Sequence, residues 1–197
     1  VLMGARLNDQ KFIKKHNNII VEDIASYYFF DDIYKLLGIK DEMHFLPASD
    51  ISNITALANL LLGWKLSFSI ILGNHEEGHQ IYDYFRYNLY QNDDEKTTRH
   101  ILVMDGGARR VEDLFSTLDF KKYILNKRVG ITEPNSSYIE HNNISRPILA
   151  SNFLATVEAE NLSLDHFDEE TQENLTALAE RLKEMIKNQG AGRKKKL

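Results

Sequence analysis

Apolar and polar positions follow two rhythms along this chain. Short apolar, largely β-branched runs fall at 18–21, 44–47, 68–72 and 99–104, with the length and texture of strands buried on both faces of a parallel sheet. Between them the apolar period changes to that of a helix. Ile24, Tyr27, Tyr28, Ile33, Leu36 and Leu37 recur at helical spacing before Gly38, 54–64 is an apolar helix capped by Ser52 or Asn53, and Tyr82, Phe85 and Leu89 set the pattern of a helix over 77–90. After Asp105 the alternation stops. Helical pieces are expected at 111–115 and 120–125, a polar loop at 126–145, and two helices at 148–157 and 165–187. Strands alternating with helices predict an α/β fold, a Rossmann-like parallel sheet flanked by helices with a C-terminal helical extension. The division that follows is a lead-in at 1–16 with a short helix near 9–15, an α/β domain at 17–125, the loop and helical extension at 126–189, and a basic tail at 190–197.

Composition narrows this picture. With 43% hydrophobic and 10% aromatic residues in 197, the chain has material for one core. A formal charge of −5 argues against a protein that coats nucleic acid over its whole surface, while a local basic groove remains compatible. No cysteine is present, which rules out disulfides and thiolate chemistry and fits a cytoplasmic setting. No apolar run approaches the ~20 residues of a membrane span, so no membrane partner is expected. The chain opens on Val1 rather than Met, as a piece of something longer would. Walker, nucleophile-elbow and dinucleotide fingerprints are absent, so no ATP site is expected in this chain.

The candidate chemistry collects at strand ends, where open α/β sheets meet their ligands. Glu22 and Asp23 follow the first strand, Gly73-Asn74-His75-Glu76-Glu77 the third, and Asp105 the fourth, with Glu112 and Asp113 beyond. Clustered carboxylates suit a hard cation such as Mg²⁺ or Mn²⁺, and a pair of metals would serve phosphodiester cleavage. A plainer reading stands beside each. Glu22 reads equally as a ligand or as an acid capping the next helix, and Glu76 and Glu77 suit the positive end of a helix dipole. His75 and His79 have the i, i+4 spacing of a metal pair. Asp105-Gly106-Gly107 reads best as a tight turn. Tyr82, Tyr84, Tyr87 and Tyr90 read as amphipathic packing or as a surface for stacking bases, and Trp64 as core.

The order of these segments resembles a Toprim domain, and more narrowly the C-terminal module of OLD-family ATP-dependent endonucleases. Ile20–Tyr28, Phe45–Pro47 with Ile51–Asn53, Leu61–Trp64, Ile70–Gly78, Val111–Phe115 and Ile148–Ala150 carry the resemblance. The resemblance implies a metal-dependent nuclease site with Glu22, Glu112 and Arg146 in catalytic positions. Metal ligands would come from Glu22, His75, Glu76, Glu112 and Asp113. It further implies Mg²⁺ or Mn²⁺ as cofactor, an ATPase domain or subunit of the OLD type, DNA as a partner, and an oligomer. The departures are specific. Asp23 stands where the family has a glycine, Ser26 where it has a second acid, Gly73-Asn74-His75 where it has Asp-x-Asp, and Arg146 where it usually has lysine. Arginine pairs with phosphate but is a poor proton donor. Losing even one partner behind a metal ligand costs ~10–100-fold, and here three acidic positions differ. The expectation is therefore a degenerate module, acting by binding or scaffolding in nucleic-acid processing or anti-phage defence. Alternatives are an active endonuclease with a rearranged site and a nucleotide-binding regulatory module.

Overall fold

The structure is a computed structural model and describes residues 13–105 and 107–191. The helix expected near 9–15 and the end of the basic tail lie largely outside the described residues.

Among the described residues four parallel strands form one sheet in the order β2-β1-β3-β4, with β1 at Asn18–Val21, β2 at His44–Pro47, β3 at Phe68–Leu72 and β4 at Ile101–Val103. The register sets Ile19 against Phe45 and Ser69, and Ile71 against Leu102. Every residue of β1 and β3 is buried, which is why both read as unbroken apolar runs. Alternate side chains divide the core. Ile19, Val21, Phe45, Ile71 and Leu102 face one side; Ile20, Leu46, Ile70, Leu72 and Ile101 face the other. This is the expected α/β architecture: a parallel sheet flanked, among the described residues, by eight helices and ending in a C-terminal helix.

On the second side pack α2 (Ile54–Gly63) and α3 (Glu76–Asn88), through Ile54, Ala58, Leu61 and Phe85. The first side holds α1 (Ile24–Leu36), whose Tyr27, Phe29, Phe30 and Ile33 are buried. A polar helix, α4 (Asp94–His100), precedes β4. Beyond β4 come a 3-10 turn at Val111–Leu114 and α5, a short helix (Thr117–Asp119) that widens into a π-helix over Phe120–Leu125. Then follow α6 (Asn135–His141), α7 (Arg146–Glu160) and α8 (Glu169–Ala191). Phe153 of α7 and Leu175, Leu182 and Met185 of α8 belong to the same core as α1 and the sheet, so the C-terminal helices complete its first side.

Several expectations change. The polar run after α3 contains α4, and the expected 126–145 loop contains α6. Trp64 is 57% exposed, because it lies one residue past α2 on the outward face with Leu60, four residues before it. Asp50 caps the turn leading into α2 by accepting from the Ser52 N–H, and Asn53 makes no side-chain cap. Among the described residues no helix is long and apolar enough to cross a membrane.

Candidate functional site

The strand order reverses direction at β1 and β3. From β1 the chain moves outward to β2, then returns past β1 to build β3 and β4. Such a switch point leaves a crevice beyond the carboxyl ends of the two strands. Glu22 follows β1 there, and Gly73 to His75 follow β3. Glu22 is 5% exposed, and its Oε1 accepts a 2.7 Å hydrogen bond from the Gly73 N–H, bridging the two strand ends.

Gly73 makes this closeness possible. A Cβ there would lie 2.1 Å from the Arg109 carbonyl oxygen and 2.6 Å from the His75 ring. Gly78 is constrained in the same way, since its Cβ would fall 2.3 Å from the Gly73 oxygen. The folded-back 73–78 loop sets His75 at the N-cap of α3, where Nδ1 accepts from the Gly78 N–H at 3.2 Å. Its Nε2 lies 3.0 Å from Glu22 Oε1, and Nδ1 lies 3.1 Å from Glu77 Oε2. The hydrogen bond to Glu22 raises the His75 pKa above its ordinary value, against the opposing effect of burial.

A second group sits beside the first. Arg146 opens α7, and its Nε and Nη2 donate to the two carboxylate oxygens of Glu112 at 2.6 and 3.3 Å. Nη1 donates to Asp23 Oδ2, and Nη2 also reaches Ser26 Oγ at 3.3 Å. Glu112 is wholly buried. Burial opposes the guanidinium charge, but Glu112 and Asp23 outweigh it and hold the Arg146 pKa above its usual range. Burial likewise pushes the Asp23 carboxyl up, yet the Arg146 charge and the hydrogen bonds from Ser26 hold it below the usual carboxylate range. Asp23 also caps α1, accepting from the Ser26 N–H at 2.7 Å.

Between the groups lies a cleft of about 570 Å³ lined by Glu22, Asp23, His75, Glu77, Arg110 and Arg146, with α6 on its far wall. Of the sequence candidates, Glu22, His75 and Arg146 line this cleft, and Glu112 is buried directly behind Arg146. Glu76 does not line it: it is exposed, and Gln80 reaches it at 3.4 Å. Glu77, one step further round the helix, is the acid that faces His75. Asp113 is taken up by the turn, accepting from the N–H groups of Arg109, Arg110 and Ser136 and from Ser136 Oγ at 2.6–3.2 Å. His79 Nε2 lies 2.8 Å from Asn74 Oδ1, so the i, i+4 histidines do not converge. Asp105 lines a separate pocket with Arg181, and the Ala108 N–H closes its turn at 3.2 Å. Sequence reasoning passes over Arg110, whose Nη1 lies 3.9 Å from Asp23 and 4.0 Å from Glu22 at the cleft mouth. A basic pair directly before the Glu112-Asp113 turn is the signal that could have found it.

The carboxylates a divalent ion would need are turned toward protein donors. Glu112 faces the fork of Arg146, Glu22 faces Gly73 and His75, and Asp113 faces backbone N–H groups. Arranged this way, the candidate set Glu22, His75, Glu76, Glu112 and Asp113 does not fit a shared hard cation, which needs several oxygens converging on one point. What the cleft can do is hold a proton on His75 between two acids and present Arg110 to an anionic group. No protein-family model, curated protein or solved structure matches the chain.

Proposed function

We propose that the chain is a Toprim-like module of an OLD-type system that binds or scaffolds in nucleic-acid processing or anti-phage defence, with its metal site converted into an internal salt-bridge network. The observation that supports this reading is Arg146. One guanidinium neutralises buried Glu112 and Asp23 together, a task that in the nuclease reading would fall to a divalent cation. A buried ion pair with good geometry resists the insertion of another cation, because each carboxylate would first have to give up its bonds. Under the same reading the chain works in the cytoplasm, beside an ATPase domain or subunit, in an oligomer.

The test needs no ATPase. Calorimetric titration of the purified chain with Mg²⁺ and with Mn²⁺ is expected to show no saturable site below millimolar concentration, and supercoiled plasmid is expected to stay intact in either metal. A tight site, or nicking, that disappears in Glu22→Gln would replace this reading with that of a working endonuclease.

A further inference from the structure

At the end of α5, four of the eight residues 121–128 are basic and none is acidic, in a chain whose net charge is −5. The π-helix Phe120–Leu125 ends at Asn126, whose backbone is left-handed (φ 53°). The chain then doubles back, and the Lys127 N–H donates to the Lys121 carbonyl at 3.2 Å. This brings Lys127 and Arg128 alongside Lys121 and Lys122. Together with Leu118 and Val129 they line a groove of about 650 Å³, separate from the cleft at the strand ends. π-Helical turns are rare and often occur at functional sites.

The groove is built as well as charged. Lys122 Nζ donates to Tyr123 Oη at 2.6 Å and lies 4.4 Å from that ring's centre, and Tyr123 Oη in turn donates to the His166 carbonyl at 2.9 Å. The bond to Tyr123 raises the Lys122 pKa, so this ammonium stays charged. Asp119 and Glu160 act on Lys122 through space, but among the described residues no carboxylate forms an ion pair with Lys121, Lys122, Lys127 or Arg128. Asp119 is itself buried and accepts from the Asp168 N–H at 2.9 Å. Four cations gathered without carboxylate partners among the described residues repel one another, and an anion with several charges at regular spacing relieves that repulsion.

We propose that this groove binds the sugar-phosphate backbone of a nucleic acid, through Lys121, Lys122, Lys127 and Arg128, without reading sequence. A backbone fits better than a single phosphate, because the cations come from two chain segments on either side of a turn. An acidic peptide would meet the same cations, with Leu118 and Val129 beside them, and polyglutamate stands in for it in the test. This assignment is independent of whether the cleft holds a metal.

Anisotropy of a fluorescein-labelled 20-base-pair duplex, titrated with the whole chain between 50 and 200 mM NaCl, tests it. Each phosphate that the protein no longer neutralises flattens the plot of log K against log salt by about 0.9. Lys127→Gln/Arg128→Gln is therefore expected to flatten the slope by about 1.8 and to weaken binding at least ~10-fold at 50 mM. The matched control Lys183→Gln/Lys187→Gln, on exposed positions of α8, is expected to leave both unchanged. An unchanged slope in the groove variant, an equal loss in the control, or polyglutamate binding as tight as the duplex would each overturn the proposal. None of these results depends on nicking or on metal binding.

Discussion

His75 is asked to do two things that one proton cannot satisfy together. Neutral, with its hydrogen on Nε2, it donates to Glu22 and leaves Nδ1 free to accept from the Gly78 N–H and cap α3. Protonated on both nitrogens, it keeps Glu22, gives up the cap, and donates through Nδ1 to Glu77. Because the pKa in the fold is raised above its unfolded value near 6.5, the charged form is the one the fold favours. The stabilisation is full below about 6.5 and is lost as pH rises through the folded pKa. We expect the stability difference between wild type and His75→Gln, from urea unfolding, to be larger at pH 5.5 than at pH 8.5. Equal differences at both values would show that the fold does not favour the charged imidazolium over the neutral ring. At this scale the sequence marks the neighbourhood but not the engagements. Strand-end placement puts Glu22 and His75 together, and the resemblance alone points to Arg146; neither shows which lone pairs a backbone N–H already occupies, as at Asp113, nor which of Glu76 and Glu77 turns inward.

Arg146 links three elements, since α7 contributes the guanidinium, α1 the Asp23 cap, and the 3-10 turn the buried Glu112. Asn135 of α6 secures the same turn, its Nδ2 donating to the Glu112 and Phe115 carbonyls at 3.0 and 2.7 Å. Arg146→Met keeps much of the volume but strands Glu112 at zero exposure. A broken buried pair costs ~3–5 kcal/mol, and replacing both partners by apolar residues recovers most of it. We therefore expect a loss of about that size for Arg146→Met in chemical denaturation, largely restored in Arg146→Met/Glu112→Leu. A loss under ~1 kcal/mol would mean that the network is not holding the elements together. Element types are most legible where burial is two-sided, which is why β1, β2 and β3 lie where the apolar runs put them; β4 is shorter than its expected 99–104, because Arg99 and His100 close α4 instead. The polar helices are not legible by period. In α4 only Thr97 is buried, and its real signature is electrostatic: an Asp93 cap, Asp94 and Glu95 in the first turn, Arg99 and His100 in the last.

Over the whole molecule the C-terminal helix closes the structure. Gln189 Nε2 donates to the Asn18 carbonyl at 3.0 Å and to Ser69 Oγ at 2.9 Å, and its Oε1 accepts from the Asn17 N–H at 3.0 Å. One amide near the end of α8 thus satisfies groups at the start of β1 and β3. Gln189→Ala leaves buried polar groups unpaired, at roughly 1–3 kcal/mol for each group left unsatisfied. We expect a single cooperative transition shifted to lower denaturant, not a separate melting of α8, because Leu175, Leu182 and Met185 share their core with Phe29 and Phe153. A biphasic curve would show instead that α8 folds as its own unit. The apolar pattern marks this helix only as an extension. Its role in the core is hidden because an apolar stripe carries no marker for what it packs against.

The clasp made by Gln189 also fixes the two ends of the described chain at the amino-terminal margin of the sheet, while Glu22, His75 and Arg146 stand at the opposite margin, a strand's length of roughly 10–15 Å away. A dye attached at exposed Lys187, just before that clasp, would therefore stand at the back of the molecule and report on it without touching the cleft.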